Sequence, residues 1–262
     1  MYEIIGYCCA ALIGLSLGLI GGGGSILTVP VLVYFFHISP LLATSYSLFI
    51  VGSTSLIGAV NNFTKKLVDL NTGLLFGVTS VVTVFITRKF IIPSIPHHIA
   101  TIKGFEITFS FLTMVLFALL MMVASISMVT KGVVEPKKEV HKKGSLIFYG
   151  IAIGLVTGFL GAGGGFLLIP VLVVVLGLHM KMAVGTSLFI IAINSLIGFI
   201  GDLGHYSINW DLLLMVTLIA VAGVFVGGII SKQVKGLYLR KGFGWFVMSV
   251  GVYILIKEIF FP

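Results

Sequence analysis

The feature that most constrains this chain is an internal repeat. The stretch GLIGGGGSILTVPVLV, Gly18 to Val33, is matched by GFLGAGGGFLLIPVLV, Gly158 to Val173, at a constant offset of 140 residues. The register continues without a gap, so that SLFI at Ser47 to Ile50 meets SLFI at Ser187 to Ile190, and SLIG at Ser55 to Gly58 meets SLIG at Ser195 to Gly198. From Gly14 to Gly58 against Gly154 to Gly198, 20 of 45 positions are identical. Shared apolar composition would scatter matches. It would not align two glycine clusters, two prolines and two polar tetrapeptides in one register, so the chain is read as a duplication.

What each copy can fold into follows from its hydropathy. Apolar residues make up 58% of the chain, charged residues only 9%, and the mean hydropathy is +1.21. A soluble domain carries about 25% charged residues because its surface must meet water. A water-facing enzyme and a disordered chain are both excluded, which leaves an all-α polytopic membrane protein. About 20 apolar residues cross the hydrocarbon core, and candidate runs lie near 4–20, 42–62, 68–92, 105–129, 145–160, 182–201, 212–231 and 242–260. Two shorter runs, 25–36 and 165–178, each follow a glycine cluster. A single helix from Glu3 to Phe36 would be about 50 Å long, too long for one crossing of a core about 30 Å thick, so Gly21 to Gly24 are the expected break.

Sixteen Lys and Arg against eight Asp and Glu give a net charge of +8. Most of these cations fall in gaps between apolar runs, and no basic stripe with interleaved aromatics points to nucleic acid. If the short runs do not cross, each copy has four spans and the charge divides evenly between the faces. If they do cross, each copy has five. Loops 62–68, 130–143, 178–181 and 232–241 then share one face, with twelve basic residues against four on the other. The positive-inside rule favours the second arrangement. It makes the repeats inverted, with the N-terminus outside. The expected organisation is a first repeat over 1–130, a basic cytoplasmic linker over 131–143 and a second repeat over 144–262. The opening MYEIIGYCC lacks the basic stretch of a secretory signal and is read as part of a retained membrane segment. Cys8 and Cys9 are adjacent and form no disulfide framework or metal pair.

Unwound backbone at membrane depth is tolerated only where protein or a water-filled cavity satisfies it. Half-helices that begin there direct unpaired N–H groups toward the cavity. Two such breaks can therefore build an anion site with little side-chain charge. The clusters have neither the lysine of a P-loop nor a βαβ context, so nucleotide binding is a poor fit. The expected lining is the backbone at Gly22, Gly23, Gly24 and Ser25 and at Ala162, Gly163, Gly164 and Gly165. Beside it runs a polar stripe, Thr44, Ser45, Ser47, Ser53, Thr54 and Ser55 continuing to Asn61 and Asn62 in the first copy, and Thr186, Ser187, Asn194 and Ser195 in the second. Of these, Ser47, Thr54, Thr186, Ser187 and Asn194 are expected to line the site. Ser47 and Thr54 are seven apart, as are Ser187 and Asn194, so each pair shares a helix face. The competing reading is that these hydroxyls bond their own i−4 carbonyls or a neighbouring helix.

Asp202 and His205, three apart at the end of a repeat-bearing helix, are a candidate proton-coupling pair. His97 and His98 have no Cys or Asp partner at metal spacing, and no metal or cofactor is expected. A hydrolase drawn from the GTS at Gly185 to Ser187 with His205 rests on two isolated residues of common types, so no enzyme is expected.

The paired Gly-rich and Pro motifs resemble the hallmark of the sulfite exporter TauE/SafE family of bacterial membrane permeases. TSLFII at Thr186 to Ile191, GHYSINWDLLL at Gly204 to Leu214, AGVFVGG at Ala222 to Gly228 and the final LRKGFGWFVMSVGVYIL fit it too. The resemblance covers essentially the whole chain. It implies a carrier, uncoupled or proton-coupled, that moves sulfite, sulfonates or similar anions across the cell inner membrane, commonly outward. A departure lies in the first copy, whose fourth span GLLFGVTSVVTVFI lacks the dense glycines of its partner. A non-transporting membrane scaffold and an anion channel are the alternatives, and assembly into a homo-oligomer is left open.

Overall fold

The computed structural model describes residues 2–96, 98–102, 105–130, 143–161, 163–230 and 236–260. The first copy begins with α1 (Tyr2–Ile20). A 3-10 turn (Gly22–Leu27) and α2 (Thr28–Phe35) follow, then α3 (Pro40–Thr64) and α4 (Leu70–Ile86). Helix α4 continues through a π turn (Thr87–Ile91) into α5 (Ile92–Ser94). A small antiparallel ribbon, β1 (His98–Ile102) and β2 (Phe105–Thr108), leads into α6 (Phe109–Thr130). The second copy comprises α7 (Lys143–Leu160), α8 (Gly165–Pro170) with a π turn (Val171–Val175), α9 (Met180–Asp202), α10 (Trp210–Ile230) and α11 (Gly236–Phe260). The linker expected over 131–143 lies outside the described residues up to 142, as does His97. The run expected to span from 105 begins with the ribbon, and its helix starts only at Phe109.

Six helices among the described residues are long and apolar enough to cross a membrane: α3, the continuous α4–α5 rod, α6, α9, α10 and α11 from Lys241. Helices α1 and α7, of 19 and 18 residues, reach about 27–29 Å at 1.5 Å per residue. Exposed apolar side chains run along α4 (Leu74, Val78, Val82), α6 (Leu112, Leu116, Leu119) and α10 (Leu214, Leu218, Phe225). Such continuous apolar faces are what a multi-pass membrane protein presents to lipid.

The two copies are interleaved. Helix α1 packs along α10 of the other copy, and α7 packs along α4. The approach is close because the contact is made of glycines: a Cβ added at Gly14, Gly18, Gly223 or Gly227 would strike the opposing backbone, one at Gly150 or Gly154 would strike α4, and one at Gly158 would strike Thr87 of the π turn. Equivalent helices also meet each other, α3 with α9 and α6 with α11. Leu48 lies against Gly198, Gly52 against Leu196 and Gly58 against Leu188, so α3 and α9 run antiparallel. Helix α6 meets α11 in the same sense, with Gly244 by Met128 and Gly251 by Met121. Antiparallel packing of equivalent helices is the relation that an inverted repeat imposes.

The short segments travel back along the helix before them. Gly24 abuts Ser16 and Leu17, whereas the Phe36 ring lies over Gly6 and stacks edge-on against Tyr7 at 5.3 Å. The first segment thus retraces most of α1. Each copy therefore contains five segments that run alternately in opposite directions, one of them short. The ends joined by 65–69 and 176–179, together with Thr130, Lys143, Ile230 and Gly236, gather at one side of the molecule. That is the side to which the basic loops were assigned.

A further pair of bonds repeats across the copies. Asp69 caps α4 by accepting from the N–H groups of Asn71 and Thr72 at 3.1 and 3.3 Å, and its own N–H donates to Thr186 Oγ1 at 2.9 Å. Asn209, 140 residues on, caps α10, and its N–H donates to Tyr46 Oη at 2.6 Å. Tyr46 and Thr186 are themselves 140 apart, so each copy's fourth helix is anchored on the third helix of the other.

Candidate functional site

Both glycine clusters end a helix with backbone that an L side chain rarely adopts. Gly21 has φ of 82° and Gly161 of 67°. Each break rests on the other copy: Gly21 faces Val184, and Gly161 faces Thr44, again positions 140 apart. The 3-10 turn Gly22–Leu27 touches α8, so the expected glycine linings do come together. Gly163 lies against Val51, Ile191 and the Ser195 hydroxyl, halfway along the α3–α9 crossing. Ala162 lies outside the described residues.

Around this centre the first 3-10 turn and the two third helices carry an unusually polar interior. Ser25, Ser47, Thr54, Thr186, Ser187 and Asn194 are all fully buried or nearly so. Their hydrogen bonds divide them. Thr54 Oγ1 donates to the carbonyl of Ile50 at 2.7 Å, and Ser187 Oγ to that of Val184 at 2.9 Å. These two behave as the competing reading expects, and Thr186 is used in the α4 anchor. Ser47 Oγ has no partner among the described residues, and Asn194 donates to Ser80 Oγ at 2.6 Å while its Oδ1 accepts nothing. Ser55, Ser195, Thr28 and Thr157 add four more buried hydroxyls without partners. Ser55 and Ser195 stand in the duplicated SLIG tetrapeptides and belong to the polar stripe, though not to the residues expected to line the site.

The larger omission is Arg88. Counting charges by loop put it with the interfacial cations, yet its side chain is completely buried and its Nη1 donates to Asp202 Oδ2 at 3.0 Å. The same nitrogen lies 3.1 Å from Thr44 Oγ1. A π turn spans Thr87–Ile91, with the Ile92 N–H reaching back to the Thr87 carbonyl. The extra residue in that turn shifts the register of the helix face, and Arg88 is directed inward against Gly201. Ser45 sits beside the same carboxylate. The side chain of Asp202 is thus engaged by Arg88. His205 is exposed and meets Asp202 through its backbone N–H, 3.1 Å from the Asp202 carbonyl oxygen. In the loop beyond, burial pushes the Tyr206 phenol up, the Asp202 charge adds to that rise, and the Arg88 charge opposes it.

The arrangement offers neutral hydrogen-bond donors and one cation around a pair of helix breaks, which suits an anion held without strong fixed charge. Among the described residues no group of three or more His, Cys, Asp or Glu is placed to hold a metal.

Residues 7–254 match the sulfite exporter TauE/SafE family. A "Probable membrane transporter protein" of Xylella fastidiosa (strain Temecula1 / ATCC 700964) is 26% identical over 257 residues, covering 94% of this chain and 92% of that protein. "Probable membrane transporter protein YunE" of Bacillus subtilis (strain 168) is 28% identical over 247 residues, covering 83% and 82%. "Probable membrane transporter protein YdhB" of the same organism is 26% identical over 238 residues, covering 88% and 91%. No solved structure matches. With a family match that spans nearly every helix described above, this chain belongs to the sulfite exporter TauE/SafE family and is a membrane transporter.

Proposed function

We propose that this protein is a secondary carrier of small sulfur-containing anions, such as sulfite or organosulfonates, exporting them across the cell inner membrane by alternating access. The observation that carries the reading is the set of buried, unpartnered polar atoms at the α3–α9 crossing: Ser47, Ser55, Ser195 and the Asn194 carbonyl, beside Gly163. Native interiors satisfy the great majority of their buried polar groups, and a helix interface built only for packing has no use for several that are not. Hydroxyls and the backbone N–H groups of Gly22, Gly23, Gly24 and Ser25, and of Gly163 to Gly165, offer donors to anionic oxygens in a site of low dielectric. Asp202 is the residue on which proton coupling would act, with His205 at the exposed end of the path.

The test is efflux of radiolabelled sulfite from liposomes containing the purified protein, against protein-free vesicles. Saturable efflux that unlabelled sulfite or methanesulfonate competes supports the carrier. A folded, correctly inserted protein that moves neither anion in either direction refutes it, and flux that does not saturate points to a channel.

A further inference from the structure

We infer that the free edge of the Arg88 guanidinium is an oxyanion-binding fork, and that Arg88 is the specificity-determining residue of the carrier. This rests on the anion-carrier reading and extends it to a named cation.

Arg88 has five N–H donors in a fixed plane. Asp202 and Thr44 both meet Nη1. Nε and Nη2, which form the other edge of the plane, have no hydrogen-bond partner among the described residues, although both atoms are buried. That edge presents two parallel N–H groups, the geometry that takes two oxygens of a carboxylate, sulfonate or phosphate at once. A buried Arg–Asp pair made only for stability would be expected to use this edge, because bidentate geometry and full satisfaction of the remaining donors are what offset the cost of burying the charges. Here the carboxylate takes a single bond on the far nitrogen. It neutralises the guanidinium, fixes its plane and leaves the two N–H groups of the fork unpaired.

The surroundings agree with this assignment. Thr44, which bonds Arg88, also lies against Gly161 at the second helix break, and Gly158 packs on Thr87. The fork therefore adjoins one of the two breaks. It has no counterpart at the other: the positions equivalent to Arg88, Asp202 and Thr44 are Gly228, Asn62 and Val184. Recognition by charge is thus built into one end of a pseudosymmetric path, with neutral groups along the rest. A fork of two N–H groups favours anions with two oxygens side by side, such as sulfite or a sulfonate, over a spherical halide.

Calorimetric titration of the purified wild-type protein with sulfite and with methanesulfonate, each in the presence of rising chloride, tests the fork without any substitution. Both oxyanions should bind and compete with each other, and chloride at the same concentration should not displace them. Displacement by chloride as effective as that by methanesulfonate overturns the inference. Arg88→Lys keeps the charge beside Asp202 but removes the planar fork. It should weaken sulfite binding by about tenfold to a hundredfold, the equivalent of one or two charge-assisted hydrogen bonds. Wild-type protein that carries labelled sulfite while Arg88→Lys binds it with unchanged affinity overturns the role of Arg88 and leaves the carrier standing. Wild-type protein that neither binds nor carries an oxyanion overturns both.

Discussion

Replacing Asp202 by alanine should cost this protein far more stability than its single hydrogen bond would suggest. The carboxylate is 1% exposed and the guanidinium it meets is 0% exposed, with 3.0 Å between Nη1 and Oδ2. At an effective dielectric of about 20, unit charges about 4 Å apart attract by about 4 kcal/mol. In the intact pair much of that offsets the cost of taking both ions out of water. Asp202→Ala removes the attraction and leaves Arg88 buried with no counter-ion, a change that costs about 3–5 kcal/mol in buried pairs. The double substitution Arg88→Met with Asp202→Ala removes both charges, and similar replacements are neutral or stabilising. It should recover most of the loss. Reversible unfolding in mixed micelles, followed by tryptophan fluorescence, reads this directly, because Trp210 stands edge-on to Phe49 and Phe199 at 6.1 and 6.0 Å. An Asp202→Ala protein within about 1 kcal/mol of wild type, or a double variant no more stable than the single one, would refute the reasoning.

Three further outcomes follow from the packing. Gly223→Ala drives a methyl into the Ala11 carbonyl and should cost about 1–3 kcal/mol of stability as overpacking, whereas Gly228→Ala, with nothing within 4 Å of the added methyl, should gain up to about 1 kcal/mol from helix propensity; chemical unfolding of the two variants should move in opposite directions. In a background without Cys8 and Cys9, Leu48→Cys with Gly198→Cys should form a cross-link on oxidation and Leu48→Cys with Leu188→Cys should not, the reverse being the signature of parallel third helices. Lys66→Cys and Ser207→Cys, both exposed, should react with an impermeant thiol reagent from opposite sides of the membrane, Lys66→Cys from the cytoplasm; labelling from the same side would remove the five-pass arrangement.

Most of the architecture was legible because membrane burial leaves large, regular signals. The glycine clusters predicted both helix breaks, and the 140-residue register predicted which helices are equivalent. The exchange of α1 and α7 between copies was not legible, because glycine spacing at Gly14, Gly18, Gly223 and Gly227 shows that helices approach closely but not which helix approaches which. The duplicated anchor was hidden for a different reason. Asp69 and Asn209 perform the same cap, and Thr186 and Tyr46 accept the same bond, but none of the four is identical to its counterpart. Within the polar stripe, residue type could not separate Ser47 from Thr54. A hydroxyl either turns back to its own carbonyl or does not, and that rotamer choice is made by the neighbouring helix. Arg88 escaped because an arginine six residues from the end of a span reads as an interfacial anchor, and the π turn that redirects it leaves no mark in hydropathy.

The interleaving also bears on what alternating access would mean for this fold. Helix α1 packs on α10 and α10 on α3, α7 packs on α4 and α4 on α9, and α3 also packs along α9, so the packed groups of helices each mix the two copies. One contains α1, α3 and α10, and the other α4, α7 and α9. The anchors obey this division, since Asn209 to Tyr46 lies wholly within the first group and Asp69 to Thr186 wholly within the second. So does the ion pair, with Arg88 at the end of the α4 rod and Asp202 at the end of α9. The bond from Arg88 to Thr44 crosses between them, at 3.1 Å. Rocking of one group against the other would carry the guanidinium and its carboxylate together and break the bond from Nη1 to Thr44 without separating buried charges. A movement that had to pull Arg88 from Asp202 would cost several kcal/mol at each cycle.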